Sequence, residues 1–180
     1  MAHAKTVAGT QKREILLEKL ADYVLEKGLL EASLRPMAKA LGTSDRMLLY
    51  YFTDKAELLN AVFEHLTLRM ARHLDEITSP TRLPADQLST QILKALKTPE
   101  LDPYMRLWLQ MAAHASGGDE ACRLGGEKIG RVLLAWTAAQ IDAPNKEVES
   151  HDAALVLVLI EGSVLLRSLG LTDIAELGLS

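Results

Sequence analysis

The chain has very few of the residues that usually mark a function. It has one cysteine, Cys122, among 180 residues. That excludes a disulfide framework and any multi-cysteine zinc site. Aromatics are scarce, with two Phe, two Trp and four Tyr. No apolar run approaches the roughly 20 residues that span a bilayer. The longest, Ala153 to Ile160, has eight. Residues 1–10 are polar without a hydrophobic centre, so a secretory signal is not expected. Alternating β-branched runs are nearly absent. These absences leave a soluble protein of the reducing cytoplasm as the expectation, with no membrane contact and no cofactor.

What is present is an ordinary globular balance, 48% apolar and 24% charged. That is ample apolar surface to offset chain entropy, so global disorder is excluded. The net charge of −4 is unevenly spread. Residues 1–55 carry nine Lys/Arg against seven Asp/Glu, and the remainder carries eleven against seventeen. A mildly basic N-terminal third in an acidic chain is compatible with local nucleic-acid contact.

Ala, Leu, Glu, Lys and Met dominate, and these are helix formers. The expected fold is all-α with eight to nine helices. Ile15, Leu16, Leu20, Tyr23, Val24 and Leu25 make an apolar stripe on a first helix from about Gln11 to Lys27, stopped by Gly28. Ser33 is a good N-cap for a short second helix, 34–41. A third follows over about 44–51. Asp54 and Glu57 have capping-box spacing and open a long helix to about Ile77. Pro80 and Pro84 mark a loop. Further helices are expected over about 85–96, 102–115, 119–140 and 146–169, with a last turn near 173–177. Gly125, Gly126 and Gly130 each weaken the 119–140 helix by roughly 1 kcal/mol against Ala, so a kink is expected there.

The informative stretch is Leu34 to Lys55, LRPMAKALGTSDRMLLYYFTDK. Two short helices joined by a tight Gly-containing turn make a helix-turn-helix. Met37, Leu41, Leu48 and either Tyr51 or Phe52 face the core. Ala38 is small where the third helix crosses, and Gly42 can take the left-handed turn conformation. Thr43, Ser44, Asp45, Arg46, Met47 and Tyr50 are left outside. Such a helix can enter a DNA major groove. Arg46 suits a guanine O6/N7 edge, Asp45 a cytosine N4, and Met47 a thymine methyl. The hydroxyls of Thr43, Ser44 and Tyr50 suit phosphates. Lys55, at the first turn of the next helix, also favours an anion. Lys12 and Arg13 can reach the backbone or minor groove.

The run Gly42 to Leu59 resembles the N-terminal signature of the tetracycline-repressor (TetR) family. Gly42, Ser44, Leu48, Tyr50, Tyr51, Phe52, Lys55, Glu57, Leu58 and Leu59 carry the likeness, with Lys27-Gly28-Leu29 and the Ser33 cap at the family's spacing. Detailed resemblance covers about residues 11–63. It adds Ser33 to the implied DNA contacts. Leu49 stands where the family usually has a phosphate-contacting tyrosine, so that contact is lost. Asp45 stands at an often basic position, and Arg46-Met47 replaces the usual Gly-Thr.

The resemblance implies a helix-turn-helix domain, 1–54, and a helical effector-binding and dimerisation domain, 55–180. Ala153 to Ile160 is apolar all round, so that helix is expected to bury more than one face. By the resemblance, 119–140 and 146–169 pair with their symmetry mates in a four-helix bundle. Tyr104, Met105, Trp108, Met111, His114 and Trp136 are candidates for lining an effector pocket, with Arg106, His114 or Arg131 as polar anchors. Aromatic and Met residues at helical spacing also serve as plain core.

The remaining clusters carry little. His65 and His73 are eight apart on one helix, the wrong spacing for a metal pair. Gly125-Gly126 follows no strand and is not a phosphate loop. Cys122 reads as a small core residue or a redox-sensing thiol. No catalytic constellation is present, and the chain is not expected to be an enzyme. Two readings stay open. One is a ligand-responsive transcription factor, a repressor binding a palindromic DNA operator as a homodimer. The other is an all-helical small-molecule-binding or interaction protein whose helix-turn-helix is only scaffold.

Overall fold

The computed structural model describes residues 2–78 and 81–178, with nothing taken from the side chains of residues 2–9 and 77. The described chain has nine α-helices and no strand. They are α1 (Ala2–Lys27), α2 (Leu34–Ala40), α3 (Asp45–Tyr51), α4 (Lys55–Ile77), α5 (Ala85–Ala95), α6 (Asp102–Ser116), α7 (Glu120–Gln140), α8 (Lys146–Ser168) and α9 (Thr172–Leu177). A 3₁₀ turn, Leu29–Glu31, separates α1 from α2. The all-α expectation is met. Helix α1 begins at Ala2, well before the expected start near Gln11, and runs through Gly9.

The contacts divide the chain into two compact units. The first takes the chain up to Leu68 together with Arg106–Gly126. Its core includes Leu20, Val24, Met37, Leu48, Phe52, Leu58, Val62 and Phe63, all essentially solvent-free. Gly28 ends α1 at φ +77°, and Gly42 makes the α2–α3 turn at φ +64°. Both lie where an L-residue is strained. Ser44 caps α3 by accepting from the Met47 N–H at 3.3 Å. Asp54 caps α4 by accepting from the Glu57 N–H at 2.8 Å, and Glu57 reaches back to the Thr53 N–H. That is the expected capping box, shifted back by one residue at its return bond. Ser33 holds the N-cap position of α2, but its hydroxyl makes no capping bond.

Helix α7 is continuous from Glu120 to Gln140 despite its three glycines. The glycines have another use. A Cβ on Gly125 would stand 3.1 Å from Phe63 Cδ2 of α4, and one on Gly126 would stand 3.6 Å from Met111 Sδ of α6. Gly125 lets two helices approach more closely than alanine would permit.

The second unit takes Arg69–Met105 and Glu127 onward. Helix α8 packs against α5 and α9. Asn145 caps α8, accepting from the Val148 N–H at 3.0 Å. Leu83 pairs with Ile141 as an isolated parallel bridge, closed by Leu83 N–H to Gln140 O at 2.9 Å and Asp142 N–H to Leu83 O at 2.8 Å. Beside it Glu149 is buried and takes charge-assisted bonds from Arg82 and from Lys146. No helix among the described residues is long and apolar enough to cross a membrane.

Candidate nucleic-acid interface

The third helix is held from behind and left open in front. Leu48 is its fully buried anchor, and Phe52 follows it into the core. Met37 and Ala38 of the neighbouring α2 are buried too. Of the two alternatives, Phe52 is the core residue and Tyr51 is half-buried. Leu41 is half-buried as well. On the other side Arg46 is exposed, Met47 is 42% exposed and Tyr50 is 75% exposed. Tyr50 packs only an edge against Tyr51, ring centroids 5.0 Å apart. Leu49 also faces outward, at 43%. Folding gains little from apolar and aromatic groups left in water. The same groups suit stacking against sugars and thymine methyls.

The expected contact residues fall into two groups. Lys12, Ser33, Ser44, Arg46, Met47, Tyr50 and Lys55 are exposed, and Thr43 and Asp45 are half-buried beside them. Ser44 also serves as the α3 cap. Arg13 has work inside the fold. Its Nε donates to the Tyr51 carbonyl at 3.4 Å, its Nη2 lies 3.6 Å from Glu57, and its guanidinium lies 4.7 Å over the Phe52 ring. It ties α1 to the end of α3 and the start of α4. Bonds from the Thr53 N–H and the Thr53 side chain, with Arg13 nearby, hold the Glu57 carboxyl below its ordinary range.

One neighbour was missed in the sequence. Arg35 of α2 is 91% exposed, and its Nε lies 3.5 Å from Asp45 Oδ2. The only available signal was opposite charge on either side of the turn. Gln110 was also missed. Its Oε1 accepts the Leu29 N–H at 2.8 Å, beside the left-handed Gly28.

The candidate effector residues lie in different units. Trp108, Met111 and His114 belong to the first, with Met111 buried and the other two half-buried. Tyr104, Met105 and Trp136 belong to the second. There Tyr104 is buried with its ring 6.3 Å from His73, and Trp136 Nε1 donates to Asp75 Oδ1 at 2.7 Å. Arg131 pairs with Glu127 on its own helix, and Arg106 is exposed. Among the described residues no group of His, Cys, Asp and Glu could hold a metal ion.

Residues 16–62 match the family model of the bacterial regulatory proteins of the tetR family. That span runs from α1 through the helix-turn-helix into α4. That stretch carries the N-terminal helix-turn-helix domain of the family. No curated protein matches the chain. Solved structures share the fold over nearly its whole length. A TetR-family transcriptional regulator from Rhodococcus sp. is 20% identical, with TM-score 0.71 over 94% of this chain and 95% of that one. A second Rhodococcus regulator is 19% identical, TM-score 0.68, over 93% and 91%. A regulator from Saccharomonospora viridis, solved with choline, is 18% identical, TM-score 0.63, over 94% of each.

Proposed function

We propose that this chain is a DNA-binding transcriptional regulator of the TetR family, a ligand-responsive repressor that binds a palindromic operator as a homodimer. The observation that carries the reading is the outward face of α3, where Arg46, Met47 and Tyr50 stand clear of a helix anchored by Leu48. Arg46 reads a guanine edge and Met47 touches a thymine methyl. Lys55, Tyr50, Thr43 and Ser44 position the helix on phosphates, and Lys12 approaches the backbone from α1.

A second subunit is supported by the apolar stripe of α8. Leu155, Val158, Leu165 and Leu169 repeat at helical spacing and are all at least half exposed. Ile174 and Leu177 of α9, which packs against α8, are exposed as well. Exposed apolar residues repeating along one helix suit an interface. Two copies joined there present two recognition helices to half-sites roughly 34–36 Å apart, or a multiple of it. The effector binds the helical part beyond α4, and a relative with the same fold was solved with choline. It acts by favouring one separation of the two recognition helices, and only to the extent that it binds that state better.

Selection of bound sequences from randomised duplex DNA tests this. Enrichment of a palindrome that weakens as salt rises is the expected outcome. Enrichment of a single unrepeated site would remove the dimer, and no enrichment at low salt would remove the operator.

A further inference from the structure

We infer that Arg13 of α1 is a positioning residue for α3: it touches no DNA, and it fixes the roll of the helix that brings Arg46 to its base. The inference rests on the operator-binding reading above and adds a residue to it.

Helix α3 has seven residues, and Leu48 is its one buried side chain. So short a helix takes its geometry from what holds it. Phe52, the residue after α3 and four beyond Leu48, is buried as well. Two anchors in one row set the depth of the helix but let it roll about that row. Rolling swings the opposite side, where Arg46 and Tyr50 stand exposed.

Arg13 grips α3 off that row. The last carbonyls of a helix lack partners within it, and its C-terminal end attracts a cation. Helix α3 has no basic residue in its last turn. Arg13 supplies one from α1, with its Nε donating to the Tyr51 carbonyl at 3.4 Å. The same guanidinium lies 4.7 Å over the Phe52 ring and puts Nη2 3.6 Å from Glu57 Oε1. Glu57 accepts from the Thr53 N–H through its other oxygen. One side chain thus reaches Tyr51 and Phe52 directly and Thr53 through Glu57. Those three residues lie between Tyr50 on α3 and Lys55 on α4, so the grip also ties the base-reading helix to its neighbouring phosphate contact. A two-point hold on phosphate would need adjacent N–H donors. In Arg13, Nε and Nη2 are both engaged inside the fold.

The test measures binding of the full-length chain to the operator selected by the wild type and to a scrambled duplex, over a range of salt. Arg13→Ala, Arg13→Lys, Arg46→Ala and the double variant Arg13→Ala/Arg46→Ala are compared, each well below its own melting temperature. Arg13→Ala is expected to lose operator affinity by up to the roughly five- to hundred-fold worth of one bidentate base contact. Its affinity for the scrambled duplex and its salt slope are expected to stay with the wild type. Arg13→Lys is expected to lose as much, because a lysine keeps the charge but cannot span Tyr51, Phe52 and Glu57 together. In the double variant the Arg13 change is expected to cost little more than Arg46→Ala alone, because it acts through Arg46. Equal losses on both duplexes, with a salt slope reduced by about one and rescue by Arg13→Lys, would overturn the inference and make Arg13 a phosphate contact. A lower melting temperature with the operator preference unchanged would overturn it too and leave Arg13 a purely structural residue. So would fully additive losses with Arg46→Ala. Each of those results leaves the operator reading standing, whereas a wild type without any operator preference would overturn both.

Discussion

The side-chain oxygen of Gln110 accepts the backbone N–H of Leu29 at 2.8 Å, in the space a Cβ on Gly28 would need. That Cβ would stand 2.6 Å from Oε1. A residue of α6 therefore holds the end of α1, at a glycine whose φ is +77°. Gly28→Ala adds left-handed strain of roughly 1–2 kcal/mol and displaces Gln110. Gln110→Ala leaves the Leu29 N–H without this partner, at a cost of roughly 1–3 kcal/mol. The two losses are expected to add to less than their sum, because the crowding vanishes when Gln110 is gone. Chemical denaturation of the two singles and the double checks this. Full additivity would mean that the side chain and the glycine do not share a site.

Arg13 is expected to act on stability before it acts on DNA. Arg13→Ala removes the cation over Phe52, worth about 0.5–1 kcal/mol, together with the bond to the Tyr51 carbonyl. A chain of this size loses roughly 2–4 °C in melting temperature per kcal/mol. Differential scanning calorimetry measures the shift. An unchanged melting temperature with weakened operator binding would instead make Arg13 a DNA contact.

Glu149 sets an acid limit for the second unit. Bonds from Lys146 and then Arg82 outweigh its burial and hold its carboxyl below the ordinary 4.5. A lowered folded-state value means the unfolded chain takes up the proton first as pH falls. The stabilisation is therefore complete above about pH 4.5 and is lost as pH drops through the folded value. Glu149→Gln is expected to unfold at lower denaturant than the wild type at pH 7, with the gap closing toward pH 3. A gap independent of pH would show that the carboxylate charge is not what these cations stabilise.

Cys122 is a core thiol. It is buried, and desolvation with the nearby Asp119 carboxylate raises it to about 11. The thiolate is the reactive form, so at pH 8 the native chain is expected to react with a thiol-specific disulfide reagent far more slowly than the denatured chain. Rapid native-state reaction would restore a redox role.

Much of the DNA-binding end was legible because single residues there have single uses. Gly42 was needed for a left-handed turn, and it has φ +64°. Leu48 was spaced for the core, and it is fully buried. Asp54 and Glu57 had capping spacing, and they cap. The rest depended on neighbours distant in the chain. Arg13 read as a free cation because Tyr51, Phe52 and Glu57 lie some forty residues on. Gly125 read as a weak point because nothing in the sequence places Phe63 against it. Arg35 read as an ordinary surface residue, since its nearness to Asp45 exists only once α2 and α3 cross. Spread of the aromatic and Met residues over two units was equally invisible, because helical spacing does not say what lies opposite.

The apolar stripe of α8 makes a sharp prediction about assembly. Val158 is 69% exposed and central in it. Val158→Glu is expected to give a folded monomer by sedimentation. Its affinity for a palindrome is expected to fall by roughly a hundred-fold or more, because linked half-site binding is lost. A variant that stays dimeric would place the interface elsewhere.

The most direct measurement is competition binding of the wild type and Arg46→Ala to the selected operator and to a scrambled duplex, over a range of salt. The wild type should prefer its operator by roughly a thousand-fold or more, and affinity for both duplexes should fall as salt rises. Arg46→Ala should lose roughly 1–3 kcal/mol on the operator and almost nothing on the scrambled duplex. Equal wild-type affinity for the two duplexes, or an operator affinity unmoved by Arg46→Ala, would contradict base reading by the outward face of α3.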